Sequence, residues 1–171
     1  MCIRDRNAAR VLKAYSLYLE RSSVKRPLLI ADLKEEYINN LLQQEGITKV
    51  KSHLYYPGYI SNKDLVTLYN AAFVFLYPSL RESFGIPMIE AMACGTPIII
   101  GDTSAMPEVA GPDALTVDPY KAEEISEAIL RLETDNELYQ KQKEYGLTRA
   151  NLFSWRETAD KLIKLYRSLQ P

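Results

Sequence analysis

The sequence predicts an α/β fold of Rossmann type, a Rossmann-like parallel sheet with helices on both faces, and three observations carry that prediction. Short apolar runs alternate with amphipathic stretches of helix length. Two of the runs, AFVFLYP (Ala72 to Pro78) and PIIIGD (Pro97 to Asp102), are continuously apolar and rich in β-branched or aromatic residues, as strands covered on both faces are. The stretches between runs are long enough to be helices, which parallel neighbours require as connections. At 171 residues the chain suits one domain with a sizeable core, and it contains no repeat, low-complexity tract or linker.

From Asn7 to about Arg21, Val11, Leu12, Tyr15 and Leu19 recur at helical spacing, with Asn7 as the expected N-cap. PLLIAD (Pro27 to Asp32) has the length of a buried strand. LKEEYINNLLQQEG returns to helical period and stops at Gly46. A weaker strand is expected around Val50, leading into HLYYPGYI. SNKDLVTLYNAA opens with Ser61 and, three residues later, Asp64, a capping box. After AFVFLYP, the segment PMIEAMACG reads as a helix with Pro87 in its first turn and Gly95 just past its end. PIIIGD follows as a strand, and LTVD (Leu115 to Asp118) is a last short one. The remainder is helical: AEEISEAILRLE, NELYQKQKEYG, then SWRETADKLIKLYRSL, where Ser154 and Glu157 form a second capping box.

Composition removes several function classes. Lys plus Arg (21) nearly balances Asp plus Glu (22), so no global field draws the chain to nucleic acid or an anionic membrane, and phosphate recognition must be local. Cys2 and Cys94 have no zinc-like spacing, and a reducing, cytoplasmic compartment fits them best. No apolar run approaches the length of a spanning helix. G-x-G-x-x-G after a strand and G-x-x-x-x-G-K-[ST] are both missing, which argues against dinucleotide enzymes and P-loop NTPases. No metal-ligand or nucleophile-triad spacing appears. MCIRDR (Met1 to Arg6) fits neither strand nor helix period and is read as non-native sequence, of the kind left by translated sequencing adaptor; residues 7–171 are then the domain, lacking a natural N-terminal part.

The stretch RESFGIPMIEAMACGTP (Arg81 to Pro97) carries the chemistry. In parallel sheets ligands sit beyond the carboxyl ends of the strands, and Glu82 lies just past the end of the Ala72 to Pro78 run. A helix starting near Pro87 directs its free first-turn amides, with those of Ser83, Phe84, Gly85 and Ile86, into that crevice, where they suit an anion such as a diphosphate. Gly85 allows close backbone approach. Glu90, one turn in, has two acceptor oxygens for the paired hydroxyls of a ribose, and Glu82 can reach the hydroxyls of whatever the diphosphate carries. Taken singly, Glu90 reads as a helix-dipole complement and Glu82 as a solvated loop acid; together with the helix start they form a clamp for a nucleotide sugar.

ESFGIPMIEAMACGTPIII resembles the E-x7-E segment of retaining glycosyltransferases of family 4, in the C-terminal domain of the GT-B fold. NAARVLKAY, DLVTLYNAAFVFLYPSLRESFG, MPEVAG and FSW follow the family pattern in order, so the resemblance spans nearly the whole chain. It implies that Glu82 contacts the donor sugar and is the catalytic-site carboxylate, that Glu90 holds the nucleotide ribose, and that Ser83, Phe84, Gly85 and Ile86 present backbone amides to sugar and diphosphate. The implied reaction transfers a hexosyl group, mannosyl or glucosyl among the candidates, from a nucleoside diphosphate sugar to an acceptor hydroxyl of a glycan, lipid or other molecule with retention. The implied setting is polysaccharide or glycoconjugate synthesis in the cytoplasm, with the full-length enzyme peripheral to the inner face of the membrane. No cofactor or metal is implied. The family's arginine and lysine near the first strand of this domain have no counterpart here, since Arg6 belongs to the suspect hexapeptide. The other half of the GT-B fold is also lacking, so the chain alone is expected not to turn over.

Two alternatives stand beside this reading: a non-catalytic nucleotide-sugar or partner-binding module, and a nucleotide-sugar epimerase on the same fold. His53, the only histidine, reads as structural. Tyr55, Tyr56 and Tyr59 suit either the base of a nucleotide or ordinary loop packing. Cys94 is expected to fill a helix-strand junction, Glu108 to cap or order a loop, and Trp155 to anchor the core. The C-terminal helix of the family often crosses to the other domain, so an exposed apolar face on it is also expected.

Overall fold

The computed structural model describes residues 7–169 with the exception of Asp32. The expectations for Met1 to Arg6, including Cys2 and Arg6, and for Asp32 as the end of the first strand lie outside the described residues. In chain order the elements are α1 (Ala8–Arg21), β1 (Leu28–Leu29), α2 (Glu35–Gln44), a 3-10 helix (Thr48–His53), β2 (Leu54–Tyr55), α3 (Asn62–Ala71), β3 (Phe75–Tyr77) and α4 (Ile86–Ala93). There follow β4 (Ile98–Gly101), α5 (Met106–Ala110), β5 (Leu115–Val117), α6 (Ala122–Thr134), α7 (Asn136–Ala150) and α8 (Trp155–Ser168). The fold is α/β with every strand pairing parallel, as expected.

β4 is the centre of the fold. Ile98, Ile99 and Ile100 are all buried, and the alternation of a strand sends them to opposite faces. Ile99 joins Val117, Leu12, Tyr18 and Ile125 in a core beneath α1 and α6, while Ile98 and Ile100 join Phe75, Tyr77, Met88 and Met92 beneath α4 and α7. Each of these side chains contributes about 1.5–3 kcal/mol by burial, which is why a continuous apolar run, rather than an alternating one, marks this strand. α1 and α6 pack side by side on one face; Tyr18 and Ser22 of that face donate hydrogen bonds of 2.5 Å and 2.7 Å to the Glu133 carboxylate, whose side chain is only 5% exposed.

The helix ends follow their capping residues where those residues are polar and local. Ser61 and Ser154 accept from the backbone N–H groups of Asp64 and Glu157, as expected, and Asp135 does the same for Leu138 at the start of α7. α2 and α4 end just before Gly46 and Gly95. α7 runs through Gly146 to Ala150 instead of stopping at that glycine, because Gly146 is buried against Met92 of α4.

Several expectations are corrected. Asn7 does not cap α1: it sits at φ 72°, makes no side-chain cap, and its Nδ2 donates instead to the carbonyls of Pro78, at 3.2 Å, and Pro119. The residues around Val50 wind as a 3-10 helix that buries Val50 alone, since Lys51, Ser52 and His53 supply no second apolar position. Trp155 is 80% exposed, and α8 buries no residue, so it is not a core anchor; the apolar face with Leu162, Ile163 and Tyr166 is exposed as the second expectation had it. PLLIAD yields a strand of two residues in which Leu29 is 42% exposed. Among the described residues the strands also form two sheets, β1–β2 and β3–β4–β5, with an apolar cavity of about 390 Å³ between them.

Candidate functional site

The carboxyl end of β3 leads into a loop, Pro78 to Gly85, that delivers Glu82 to the mouth of the sheet before α4 begins. Tyr77, the last residue of β3, is buried on the α4 side, and its hydroxyl donates to Glu82 Oε1 at 2.7 Å. Ser79 is fully buried and its Oγ donates to the same oxygen at 3.3 Å. Glu82 is therefore a half-buried carboxylate held in place by neutral donors, unlike a solvated loop acid.

The backbone beneath it is braced from β4. Ser104, at φ 61°, exchanges two hydrogen bonds with Glu82: Glu82 N–H donates to Ser104 Oγ at 3.2 Å and Ser104 Oγ–H donates to the Glu82 carbonyl at 2.6 Å. Thr103 Oγ1 donates to the Ser79 carbonyl at 3.3 Å. Gly101 lies directly under that carbonyl, where a Cβ would stand 2.7 Å from the Ser79 oxygen.

α4 starts without a side-chain cap. Gly85 occupies the N-cap at φ 86°, a left-handed conformation that a Cβ would strain, and a Cβ there would also meet Met88 Cε at 3.2 Å. Pro87 stands in the first turn. Within the first turn Pro87 has no N–H and the Met88 N–H donates to the Gly85 carbonyl at 3.0 Å, so the donors offered at this end are the Ile86 amide and those of the loop before it, and the positive end of the helix faces the loop that holds Glu82. Ser83, Phe84 and Ile86 are exposed and Gly85 is buried. Phe84 turns its ring edge-on to Phe153, 5.6 Å away, over which the Arg149 guanidinium lies at 5.4 Å. That contact ties the Phe84 side chain, and with it the loop, to the α7 end of the domain. Arg81 supplies the loop with one exposed cation.

Glu90 lies one turn beyond Ile86 on the exposed side of α4, whose other side buries Met88, Ala91 and Met92. Its Oε2 accepts from the Tyr69 hydroxyl of α3 at 3.3 Å. Burial, and then the charge of Glu90, push the half-buried Cys94 thiol above its ordinary value. The two glutamates thus flank the open N-terminus of α4, as the spacing predicted.

Other residues fall elsewhere. Glu108 is exposed in the first turn of α5, and its carbonyl accepts from Arg149 at 2.7 Å. His53 ends the 3-10 helix, with Nδ1 3.1 Å from Ser52 Oγ. Tyr55 and Tyr59 are exposed beside the β1–β2 sheet, and the buried Tyr56 hydroxyl has its pKa raised by burial and by the charge of Glu35. Among the described residues, no group of three or more His, Cys, Asp or Glu is arranged to hold a metal ion, and no helix is long and apolar enough to cross a membrane. Tyr77, Ser79, Ser104 and Tyr69 were not anticipated from the sequence. Tyr77 carried a usable signal: a tyrosine closing a buried strand places its hydroxyl at the sheet edge, where ligands bind.

Comparison with known proteins gives a consistent picture. The family model described as glycosyl transferases group 1 matches residues 3–149. The chain is 32% identical over 166 residues to O-antigen chain mannosyltransferase B of Escherichia coli, covering 96% of this chain and 43% of that protein. It is 37% identical over 151 residues to D-inositol 3-phosphate glycosyltransferase of Corynebacterium urealyticum, covering 86% of this chain and 33% of that one. Among solved structures, sucrose-phosphate synthase of Thermosynechococcus elongatus superposes with a TM-score of 0.84 at 27% identity, over 97% of this chain and 43% of that one. The chain spans less than half the length of these relatives.

Proposed function

The chain belongs to the group 1 glycosyl transferases, with the α/β fold of GT-B enzymes, and on that premise we propose that it is the donor-binding domain of a retaining hexosyltransferase. One observation carries the proposal: Glu82, held by Tyr77 and Ser79, and Glu90 flank the uncapped N-terminus of α4 at the carboxyl edge of the sheet.

The donor is a nucleoside diphosphate sugar, with mannosyl and glucosyl donors the first to test. Its diphosphate takes the backbone amides of Ser83, Phe84, Gly85 and Ile86 and the positive end of α4. Glu90 accepts from the ribose hydroxyls. Glu82 accepts from the sugar hydroxyls, oriented by the Tyr77 and Ser79 hydroxyls; it is the residue of this chain assigned to catalysis. As the sugar leaves, charge develops on the diphosphate, and amides already in position stabilise it without reorganising, so no metal is required. The acceptor is a hydroxyl of a glycan, lipid or glycoconjugate, met on an N-terminal Rossmann-like half, while the basic pair that neutralises the diphosphate belongs near the first strand of this domain; the present chain binds donor but does not turn over. The enzyme works in the cytoplasm, at the inner face of the membrane.

Calorimetry of the full-length protein with a panel of nucleoside diphosphate sugars tests the reading. Glu90→Gln weakens donor binding about 10- to 100-fold, the worth of hydrogen bonds to a charged acceptor. Glu82→Gln lowers turnover by more than it lowers donor affinity. Tight binding unaffected by Glu90→Gln, or a product of inverted anomeric configuration, refutes the assignment. Epimerised donor without transfer would favour the epimerase.

A further inference from the structure

We infer that Tyr69 is a positioning residue for Glu90, and that Tyr69, Phe75 and Tyr77 form one aromatic row that holds the two site carboxylates in register. The inference rests on the proposed reading of Glu90 as the ribose contact and Glu82 as the sugar contact. It adds what fixes the one against the other.

The row is built from two elements. Phe75 and Tyr77 stand two apart on β3 and so share the face beneath α4, with ring centroids 5.5 Å apart and planes 25° from parallel. Tyr69, near the end of α3, sets its ring edge-on to Phe75 at 5.3 Å. All three rings are buried. The Tyr69 backbone is pinned as well, because Thr96, buried just before β4, donates from Oγ1 to its carbonyl at 2.5 Å. At the other end a Cβ on Gly85 would lie 3.5 Å from Tyr77 Cε1, so the row runs beneath the start of α4.

Each end of the row carries a hydroxyl to one carboxylate: Tyr77 donates to Glu82 Oε1 at 2.7 Å, and Tyr69 to Glu90 Oε2 at 3.3 Å. Phenylalanine would fill the core at position 69 equally well, and the tyrosine adds a polar atom that has to be satisfied. What the hydroxyl supplies is direction. Glu90 is exposed, and an exposed glutamate samples several rotamers that a ligand must freeze on binding. A bond from a buried ring, itself held by Phe75 and Thr96, selects one of them in advance. At 3.3 Å that bond is long for O–H···O and draws little of the carboxylate's charge. It uses one of about four lone-pair sites, so capacity for paired ribose hydroxyls remains. Phe75 touches both tyrosines, and the spacing between the two subsites is therefore set by rigid rings before any donor arrives.

The test is calorimetry on the full-length protein, read as two affinity ratios. The first compares a nucleoside diphosphate with its 2′,3′-dideoxy form and reports on the ribose hydroxyls; the second compares a nucleoside diphosphate sugar with the bare diphosphate and reports on the sugar. Uridine, guanosine and adenosine diphosphates are the probes, and the tightest binder is used. Tyr69→Phe keeps the ring and is expected to lower the first ratio roughly 2- to 10-fold, the worth of ordering one long side chain, while the second stays as it was. Phe75→Leu keeps both hydroxyls but removes the ring between them, and should lower each ratio about 2-fold or more; Phe75→Met replaces it if that variant does not fold. If Glu90→Gln leaves the first ratio unchanged, the ribose assignment falls and the inference with it. If Glu90→Gln lowers that ratio and Tyr69→Phe does not, the inference alone is overturned. Equal falls in both ratios with Tyr69→Phe mark a merely structural tyrosine and also overturn it, and ratios untouched by the Phe75 variant overturn the row.

Discussion

Replacing Gly101 by alanine tests how the sheet holds the loop that carries Glu82. The new Cβ would stand 2.7 Å from the Ser79 carbonyl oxygen, closer than the 3.0 Å that real Cβ contacts respect, and 3.1 Å from Met106 Cε. The methionine end can swing away, but the carbonyl is backbone and already accepts from Thr103. Overpacking of this kind costs about 1–3 kcal/mol. Removing a glycine from a strand returns about 0.5–1 kcal/mol, which leaves a net loss of up to about 2.5 kcal/mol, centred a little above about 1 kcal/mol. For a domain of this size that is a fall in Tm of about 3–6 °C. Because Ser79 also donates to Glu82, relief of the clash moves the carboxylate, and donor affinity should fall with stability. Urea and thermal unfolding of the full-length protein, with donor titration, measure both. A Tm within about 1 °C of the parent with unchanged donor affinity refutes the claim that this contact positions the loop.

Gly146→Ala should behave in the opposite way, since its Cβ would meet Met92 at an ordinary 3.5 Å inside a helix; a gain of up to about 1 kcal/mol is expected in urea unfolding. Tyr77→Phe removes the 2.7 Å bond to Glu82 and should lower donor affinity about 10-fold while the unfolding midpoint changes little. The Cys94 thiol, raised by burial and by Glu90, should alkylate more slowly than a free thiol at pH 8 and accelerate as pH rises. Glu90→Gln removes a negative charge that disfavours the thiolate, so its alkylation profile should move to lower pH; movement the other way contradicts the contact.

Legibility in the sequence followed locality. β3 and β4 could be read because strands covered on both faces need unbroken apolar runs, and the ends of α4 because Gly85, Pro87 and Gly95 act on their own turn. Glu82 and Glu90 followed from that helix. Their partners did not: Ser104 reaches Glu82 from 22 residues away, and Tyr69 reaches Glu90 from 21. Asn7 resembles a cap but answers carbonyls 71 and 112 residues distant, a pairing that only the closed sheet creates. PLLIAD has the composition of a buried strand, yet burial depends on neighbours, and one wall of its surroundings is open. Trp155 misled for a related reason, because an apolar residue reports a wish for cover and not whether the cover lies in the same chain.

The hydrogen bonds of Asn7 have a consequence for how the molecule comes apart. Among the described residues no backbone ladder joins β1–β2 to β3–β4–β5, so a census of strand bonds alone would make them separate folding units. α1 begins by gripping the far sheet and then buries Leu12, Tyr15 and Tyr18 in a core that contains Ile30 and Leu54 from one sheet and Ile99 and Val117 from the other. Loss of α1 exposes both at once. The two sheets should therefore melt in a single cooperative transition, with α1 as the piece whose undocking sets its height.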